Sequence, residues 1–434
     1  MVNIYCRPEK LPEYMSKFGS RKVAILGTGA VGTYEAAQLA QLGVGSMTMI
    51  DMDDFTEDNA AKHSPMIRTP EDIGRSKAIA TAERASVLMI PGGKANGLNA
   101  NLTMFGPNAF ADFDAVFIAL DNYAAKVYFN QQWLQIPKEK RPLALMSGTY
   151  EELAQNNILD GNGPCLRCLF DESWLKNGDV HTSCTGVQTR VDETGEKHIV
   201  RTSGLPSERA ALDTVERFRR YVLGDTEVVN KRQRYTPGGD PEYRVTTPER
   251  RRSCPDCHDY APPAHLISLP GSVLDTTLDE LFCQIREQLG RNDFTVLTHQ
   301  MEFNHISYGG VIRNDYCRHC GKPLPDLWLH ESRTFDDDLL CNDCKAARKK
   351  PIENPMRPVG TALHALTPAN TNKKARTLSL FRLGWPIGGY IHVRVLPENA
   401  SVLDCDPESY VFCMEGDRDL MIQTMTITKG GVEA

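Results

Sequence analysis

One stretch near the start of the chain restricts the fold more than any other. Residues 21–54 read RKVAILGTGAVGTYEAAQLAQLGVGSMTMIDMDD, in which apolar runs at 23–26 and 47–50 flank a glycine-rich turn. Alanines and leucines between 36 and 42 lie at helical spacing, so the segment predicts strand, turn, helix and strand. Such a unit opens a doubly wound sheet. We therefore predict an α/β fold with a mostly parallel sheet.

The pattern continues along the chain. Apolar runs at 115–120 and 143–147 predict further strands with a helix between them. A helix is predicted at 207–223, with one apolar face made by Leu212, Val215, Phe218 and Val222. Residues 276–290 predict an amphipathic helix between two strands, and β-like runs fill the last sixty or so residues. We found no internal repeat apart from the cysteine pairs described below.

Composition excludes several classes of protein. The 434 residues are 41% hydrophobic and 24% charged, which is ordinary for a globular protein with two or three domains. Apolar runs stay below 18 residues and the N-terminus lacks the apolar segment of a signal peptide, so we expect a cytoplasmic protein without a membrane partner. The net charge of −7 argues against a nucleic-acid partner.

Eight of the thirteen cysteines form four Cys-x-x-Cys pairs, at 165/168, 254/257, 317/320 and 341/344. In a cytosolic protein four such pairs predict two four-cysteine zinc sites. The spacing C-x₂-C-x₂₀-C-x₂-C joins the last two pairs into a zinc ribbon, within 313–347. A cysteine outside such a pair is most often a small buried side chain, and we interpret the other five in this way at first. They are Cys6, Cys184, Cys283, Cys405 and Cys413. Cys283 in particular is predicted to lie in the core.

The glycine-rich turn predicts a phosphate site. Gly27, Gly29 and Gly32 form G-x-G-x-x-G, which lets a phosphate approach the free N–H groups of a helix N-terminus. Asp51 ends the second strand, where a carboxylate can accept hydrogen bonds from ribose hydroxyls. These features alone favour a nicotinamide-dependent dehydrogenase.

The following seventy residues favour a different reaction. Five candidate nucleotide-binding residues follow the glycine turn along the chain: Asn59, Lys62, Lys77, Asp121 and Asn122. Hydride transfer leaves the phosphates untouched, whereas attack of a carboxylate on the α-phosphate of ATP builds charge that a lysine such as Lys77 offsets. Asp121 would hold Mg²⁺. The set therefore predicts an adenylating enzyme, with Lys77 and Asp121 as catalytic residues.

From about Lys22 to Cys257 the chain resembles the ThiF/MoeB and ubiquitin-activating-enzyme superfamily. The shared motifs are the glycine turn, D-x-D, an asparagine, a lysine, D-N and two Cys-x-x-Cys pairs; here they fall at Gly27/Gly29/Gly32, Asp51/Asp53, Asn59, Lys77, Asp121/Asn122, Cys165/Cys168 and Cys254/Cys257. The resemblance implies a nucleotide site made by these residues, with ATP and Mg²⁺, and one zinc held by the two pairs. It also implies a dimer, and a homodimer is the expectation.

Three positions depart from the family pattern. The family's N-x-x-R-Q reads N-x-x-K-H here, with Lys62 and His63, and the arginine after D-N is Lys126. Lysine keeps the charge and loses the bidentate fork of arginine. Arg7 is the one residue in the short N-terminal segment that can stand for the arginine lent to a partner's ATP site.

Cys184 lies in HTSCTG, sixteen residues after Cys168. In family members that conjugate proteins, the catalytic cysteine follows the first zinc pair by little more than a dozen residues and precedes a threonine. The resemblance therefore implies that Cys184 takes the carboxyl group of a ubiquitin-like protein as a thioester, with His181 able to assist. Two alternatives stay open: an adenylyltransferase for a sulfur-carrier protein, and a non-catalytic scaffold partner.

The C-terminal half predicts a second region. We predict an adenylation domain at 1–262, and a ubiquitin-fold-like region at 263–434 that contains the ribbon. Residues 380–395, LFRLGWPIGGYIHVRV, resemble the ubiquitin-fold domain with which activating enzymes recruit a conjugating enzyme. The overall plan is similar to bacterial ubiquitin-like conjugation systems, which implies a role in antiviral defence.

Overall fold

The computed structural model of the chain describes residues 16–59, 70–150, 152–170, 188–191, 197–200, 204–237, 241–297, 311–330, 339–349, 365–369, 371, 373–395, 408–428 and 431–433.

A ten-stranded sheet organises the described residues. Its strands are β1 Lys22–Leu26, β2 Ser46–Asp51, β3 Lys94–Asn99, β4 Ala115–Ile118, β5 Leu143–Tyr150, β6 Leu153–Leu159, β9 Lys231–Thr236, β10 Glu242–Thr246, β18 Met425–Thr428 and β19 Gly431–Glu433. Their order is β10-β9-β6-β5-β4-β1-β2-β3-β18-β19, and every pair from β5 to β18 is parallel. The predicted α/β fold with a mostly parallel sheet is confirmed.

The remaining strands form smaller sheets. Two hairpins consist of β7 Gln188–Val191 with β8 Lys197–Val200, and β13 Val311–Tyr316 with β14 Pro323–His330. A five-stranded sheet has the order β11-β17-β16-β12-β15, and its strands are β11 Leu266–Leu269, β12 Phe294–Leu297, β15 Ala365–Leu366, β16 Ile391–Val395 and β17 Glu408–Met414. Only β11 and β17 pair in parallel within it.

Helices connect and cover the strands. The α-helices are α1 Ala30–Leu42, α2 Lys77–Leu88, α3 Pro107–Phe110, α4 Tyr123–Gln135, α5 Gly204–Val222, α6 Pro255–Asp259, α7 Leu278–Leu289, α8 Asn342–Ala346, α9 Lys373–Arg376 and α10 Asp417–Leu420. Short 3₁₀ helices lie at Glu57–Asn59, Pro70–Asp72, Leu102–Met104, Lys138–Lys140, Leu166–Leu169 and Thr226–Val228. The strand, helix and strand predicted at the start of the chain are β1, α1 and β2.

Both faces of the large sheet are buried around β1. Successive side chains of a strand point to opposite faces. Val23 and Ile25 of β1 accordingly join a cluster that includes apolar residues of α1, α2 and α5. Ala24 and Leu26 join a second cluster, which extends through α4 into α7 and the five-stranded sheet. This continuous core explains why β1 is apolar at every position after Lys22.

The C-terminal half packs directly against the large sheet. The N–H of Ile387 donates to the carbonyl of Met104 at 2.8 Å, and the N–H of Gly106 donates back to Ile387 at 2.7 Å. Farther along, β18 pairs with β3, so residues from the end of the chain extend the first sheet. The strand–helix–strand order predicted around residues 276–290 is confirmed as β11, α7 and β12. The boundary at 262 and the ubiquitin fold stay predictions.

Two sequence interpretations are wrong. Cys283, which we expected in the core, is exposed, because Leu281 and Phe282 occupy the buried face of α7. Leu212 is 48% exposed, while Val215 and Phe218 of the same helix are buried. In both helices the apolar residues span more of the circumference than the buried face, so one of them points to solvent.

Candidate functional site

The glycine turn follows β1 and leads into α1. Gly27 has φ of +85°, a left-handed conformation that favours glycine. A Cβ on Gly32 would lie 1.9 Å from the carbonyl oxygen of Gly27, so this helix start packs against the turn more closely than any side chain allows. Gly29 caps α1 without a side-chain bond to the first turn. The turn therefore has the compact form that the phosphate-site prediction requires.

Asp51 ends β2 and holds the turn in place. Its Oδ2 accepts hydrogen bonds from the N–H of Thr28 at 2.6 Å and from the Thr28 hydroxyl at 3.1 Å. Its Oδ1 accepts the N–H of Asp53 at 2.9 Å. Burial raises the pKa of Asp51, and the charge of Lys77 and these two N–H donors oppose the rise. Asp51 thus bonds to the backbone of the turn, and its role at a ribose stays a prediction.

Lys77 comes to the same place from the start of α2. Its side chain is only 4% exposed, and Nζ lies 3.1 Å from Oδ2 of Asp53. The N–H of Lys77 also donates to the carbonyl of Asp53 at 2.9 Å. Ser76 caps the helix by accepting the N–H of Ile79. A buried ammonium beside the D-x-D motif is unusual unless paired, and its partner Asp53 has a half-exposed carboxylate.

Asn59 is buried at the end of a 3₁₀ helix. Its Oδ1 accepts the N–H and the hydroxyl of Thr56, each at 3.1 Å. Its Nδ2 is buried and has no hydrogen-bond partner within the described parts of the chain. A buried donor left in this state costs free energy unless a ligand accepts from it.

Asp121 and Asn122 lie three and four residues after the end of β4. Asn122 caps α4, because its Oδ1 accepts the N–H groups of Ala124 at 2.8 Å and Ala125 at 3.3 Å. Asp121 is exposed next to this cap. Asp121 therefore lies at the start of α4 and is exposed to solvent.

These groups lie at one edge of the sheet because its central strands are parallel. Strand β1 lies between β4 and β2, so the chain segments that leave the carboxyl ends of these three strands are neighbours. The glycine turn, Asp51 and Asp121 occupy this edge, at the point where the strand order reverses. The roles assigned to the individual residues stay predictions. Lys62, His63, His181 and Cys184 lie outside the described residues, as do Arg7, Cys6 and Cys405.

The first cysteine cluster joins two distant segments. Cys165, Cys168, Cys254 and Cys257 place their sulfur atoms within 4.8 Å of one another, and four of the six separations lie between 3.4 and 3.8 Å. Four thiolates around a tetrahedral zinc at ~2.3 Å lie roughly 3.8 Å apart, so the spacing fits this metal. Hydrogen bonding with Cys165 lowers the pKa of Cys257, whereas hydrogen bonding with Cys168 raises the pKa of Cys165, so the four thiols do not ionise alike.

The second cluster consists of Cys317, Cys320, Cys341 and Cys344, again within 4.8 Å of one another. Cys317 and Cys344 are buried, whereas Cys320 is exposed. Hairpin β13–β14 and the short helix α8 carry these residues. The prediction of two four-cysteine clusters is confirmed, and both donor sets suit zinc.

Sequence reasoning missed the polar residues beside the first cluster. Asp256 is almost fully buried between Cys254 and Cys257, and it pairs with Arg167 at 3.0 Å. Burial raises the pKa of Asp256, and the Arg167 charge opposes that rise. Asn130 of α4 donates to the other Asp256 oxygen at 2.6 Å. The sequence did contain one sign of the Arg167–Asp256 pair. The third position of the two motifs, CLRC and CPDC, is arginine in one and aspartate in the other.

The comparison with known families agrees with this geometry. A model described as the ThiF family matches residues 8–398. The chain belongs to the ThiF family. The match is longer than the region from Lys22 to Cys257 in which we recognised motifs, and it includes most of the C-terminal half. ThiF membership confirms the predicted superfamily.

Individual ThiF-type relatives are distant. The "Adenylyltransferase and sulfurtransferase uba4" of Neosartorya fischeri is 26% identical over 181 residues, or 39% of this chain and 34% of that protein. The "SAMP-activating enzyme E1" of Haloferax volcanii is 27% identical over 175 residues, or 37% of this chain and 58% of that protein. The chain thus spans between a third and three fifths of the length of these relatives.

Among solved structures, that of E. coli MccB with ATP aligns at 15% identity and a TM-score of 0.44, over 56% of this chain and 69% of that one. Where the structure of this ThiF-family chain is described, none of its helices has both the length and the apolarity needed to cross a bilayer. The cytoplasmic location and the role in antiviral defence stay predictions.

Proposed function

We propose that the chain uses ATP to adenylate the C-terminal carboxylate of a ubiquitin-like protein. One observation carries the proposal: the buried ammonium of Lys77 lies beside Asp53, at the sheet edge that also holds the glycine turn and Asp51. A dehydrogenase has no use for a buried cation there, because its cofactor phosphates do not react. An adenylating enzyme needs the cation where negative charge develops.

The reaction needs no redox partner. A carboxylate oxygen of the carrier attacks the α-phosphorus of ATP, a new P–O bond forms, and the bond to pyrophosphate breaks. Pyrophosphate leaves with the bonding electrons, so positive charge near the phosphates lowers the barrier. Lys77 supplies that charge, the N–H groups at the start of α1 bind phosphate oxygens, and Asp121 is the proposed ligand for Mg²⁺.

We propose that the acyl group then moves to Cys184. The thiolate attacks the carbonyl carbon of the acyl-adenylate, and AMP leaves with the electrons of the broken bond, which gives a thioester. A conjugating enzyme would accept the acyl group next. The second candidate is activation of a sulfur-carrier protein, which the names of the uba4 relatives favour. In that case the reaction would either stop at the acyl-adenylate of the carrier protein or continue from it to sulfur transfer.

We also propose a homodimer, since a ThiF-type site in this family is completed by a second copy of the fold. Light scattering that gives a monomer active in adenylation would contradict this.

The experiment compares Lys77→Ala with Lys94→Ala, a change at an exposed lysine that begins β3. Pyrophosphate exchange into ATP is measured with a ubiquitin-like protein that co-purifies with the chain. Loss of one charge at the transition state typically costs about 10²–10³ in rate, so Lys77→Ala should lose roughly that factor while Lys94→Ala keeps the wild-type rate.

Calorimetric titration with Mg·ATP and with NAD tests the choice of nucleotide. We expect the wild-type chain to bind Mg·ATP and not NAD. Binding of NAD, together with the absence of any pyrophosphate exchange into ATP, would refute adenylation.

A further inference from the structure

Asn130 lies in the helix that connects the Asp121–Asn122 motif to the first cysteine cluster. It is fully buried in the third turn of α4, the helix that begins at the Asp121–Asn122 motif. Eight residues separate Asn122 from Asn130, which corresponds to about 12 Å along the helix axis. A helix of this length moves as a rigid body, so any contact of Asn130 also orients the start of the helix.

The side chain of Asn130 contacts both cysteine segments. Its Oδ1 accepts the N–H of Leu166 at 2.9 Å, between Cys165 and Cys168. Its Nδ2 donates to Oδ2 of Asp256 at 2.6 Å, between Cys254 and Cys257. The same nitrogen lies 3.5 Å from the sulfur of Cys165. One amide therefore spans the two pairs that form the cluster.

A second contact joins the same elements at the start of the helix. The ring of Tyr123 lies 4.3 Å from the ring of Phe170, centroid to centroid. Phe170 follows directly on the 3₁₀ helix Leu166–Leu169 of the first cysteine pair. The first cysteine segment is thus held to α4 in its first turn and again at Asn130, so the segment and the helix shift together.

We propose that Asn130 is a positioning residue that couples metal binding by Cys165, Cys168, Cys254 and Cys257 to nucleotide binding at Asp121 and Asn122. Hydrogen bonds of neighbouring residues hold metal ligands in place, and their removal typically costs 10–100-fold in metal affinity. Because coupling between two binding sites is reciprocal, Mg·ATP strengthens metal binding by the same factor as the metal strengthens Mg·ATP binding. The nucleotide half of this inference rests on the proposed function.

The test compares Asn130→Leu with Gln135→Leu. Gln135 is a buried amide in the last turn of the same helix, and its Nε2 donates to the carbonyl of Gln131 in that helix. Both changes replace a buried amide by an apolar side chain. Zinc affinity of the full chain is measured by competition with a chromophoric chelator, with and without Mg·ATP. Cobalt substitution gives a second readout, since the absorption bands of cobalt thiolates report ligand geometry.

We expect Mg·ATP to tighten zinc binding and to shift the cobalt bands in the wild-type chain and in Gln135→Leu. In Asn130→Leu, zinc affinity should fall by about 10–100-fold, and Mg·ATP should no longer change it. If Asn130→Leu does not fold, Asn130→Ala serves instead. It removes the same hydrogen bonds to Leu166 and Asp256 without adding a larger apolar side chain, so it should show the same losses.

Two results would overturn the proposal. One is an effect of Mg·ATP on zinc affinity that survives in Asn130→Leu. The other is a wild-type chain that binds Mg·ATP without any change in zinc affinity or cobalt absorption. A wild-type chain that binds no Mg·ATP would instead refute the proposed function, and the coupling with it.

Discussion

Glu35 gives a pH-dependent prediction that is independent of any ligand. It lies in α1, three residues after Gly32, and is fully buried. Its Oε1 accepts the hydroxyl of Ser147 at 2.7 Å, and its Oε2 has no hydrogen-bond partner among the described residues. Burial raises the pKa of Glu35 to about 8, and the Ser147 bond opposes the rise. The folded protein therefore keeps Glu35 protonated at neutral pH.

The direction of the effect follows from proton binding. The unfolded chain ionises Glu35 near pH 4.5 and the folded chain near pH 8, so between these values the folded state holds more protons. The free energy of unfolding therefore falls as pH rises through this window, by about 1.4 kcal/mol per pH unit. The glutamine of Glu35→Gln cannot ionise, so the free energy of unfolding of this variant does not include that fall. Relative to wild type, its stability should rise by about 3 kcal/mol between pH 5.5 and pH 8.

Urea denaturation at several pH values measures the difference, with the fluorescence of the buried Trp133 among the signals. Both proteins carry the same cysteine clusters, so pH effects on the metal sites cancel in the comparison. Glu208→Gln, at an exposed position of α5, is the control and should follow the wild-type curve. A difference between Glu35→Gln and wild type that stays constant from pH 5.5 to 8 would refute the reasoning.

The cysteines give the remaining predictions. Elemental analysis of the purified chain should find about two zinc ions per molecule; Cys165→Ala should remove one and destabilise the large sheet, while Cys317→Ala should remove the other and leave Mg·ATP binding intact. Disulfides within these pairs would contradict the assignment. Cys184→Ala should retain pyrophosphate exchange but form no reductant-cleavable carrier adduct, and Cys184→Ser should form an adduct that resists the reductant. An adduct found at Cys283 by mass spectrometry would rule out the thioester at Cys184.

The large sheet was predictable where neighbouring strands are close in sequence. Residues 22–51 contain a complete strand–helix–strand unit. The left-handed backbone at Gly27 and the close contact at Gly32 favour glycine, so the glycine pattern indicates where the turn lies. The pairing of β18 with β3 was not predictable in the same way. It brings Met425 beside Leu98, and no local pattern encodes a partner more than three hundred residues away.

The candidate site was predictable to a similar extent. Lys77 and Asp53 were assigned from their motifs, and an isolated antiparallel bridge between Asp54 and Ser76 brings them together. Asn130 and Asp256 carry no motif of their own, and 126 residues separate them. Their importance depends on a buried contact that appears only when the helix and the second cysteine pair are packed. Sequence patterns indicate which groups follow a strand, and they do not indicate which buried amide bridges two loops.

The strand order of the large sheet has a consequence for synthesis on the ribosome. Strand β3 is complete once residue 99 has emerged, yet its outer neighbour β18 begins at Met425. At about 5–20 residues per second, the edge of β3 waits on the order of half a minute for its partner. During that time the N–H and C=O groups that later pair with β18 are open to pairing with another strand. The edge of β3 is therefore a place where the nascent chain is open to wrong pairing until residues 425–428 have been synthesised.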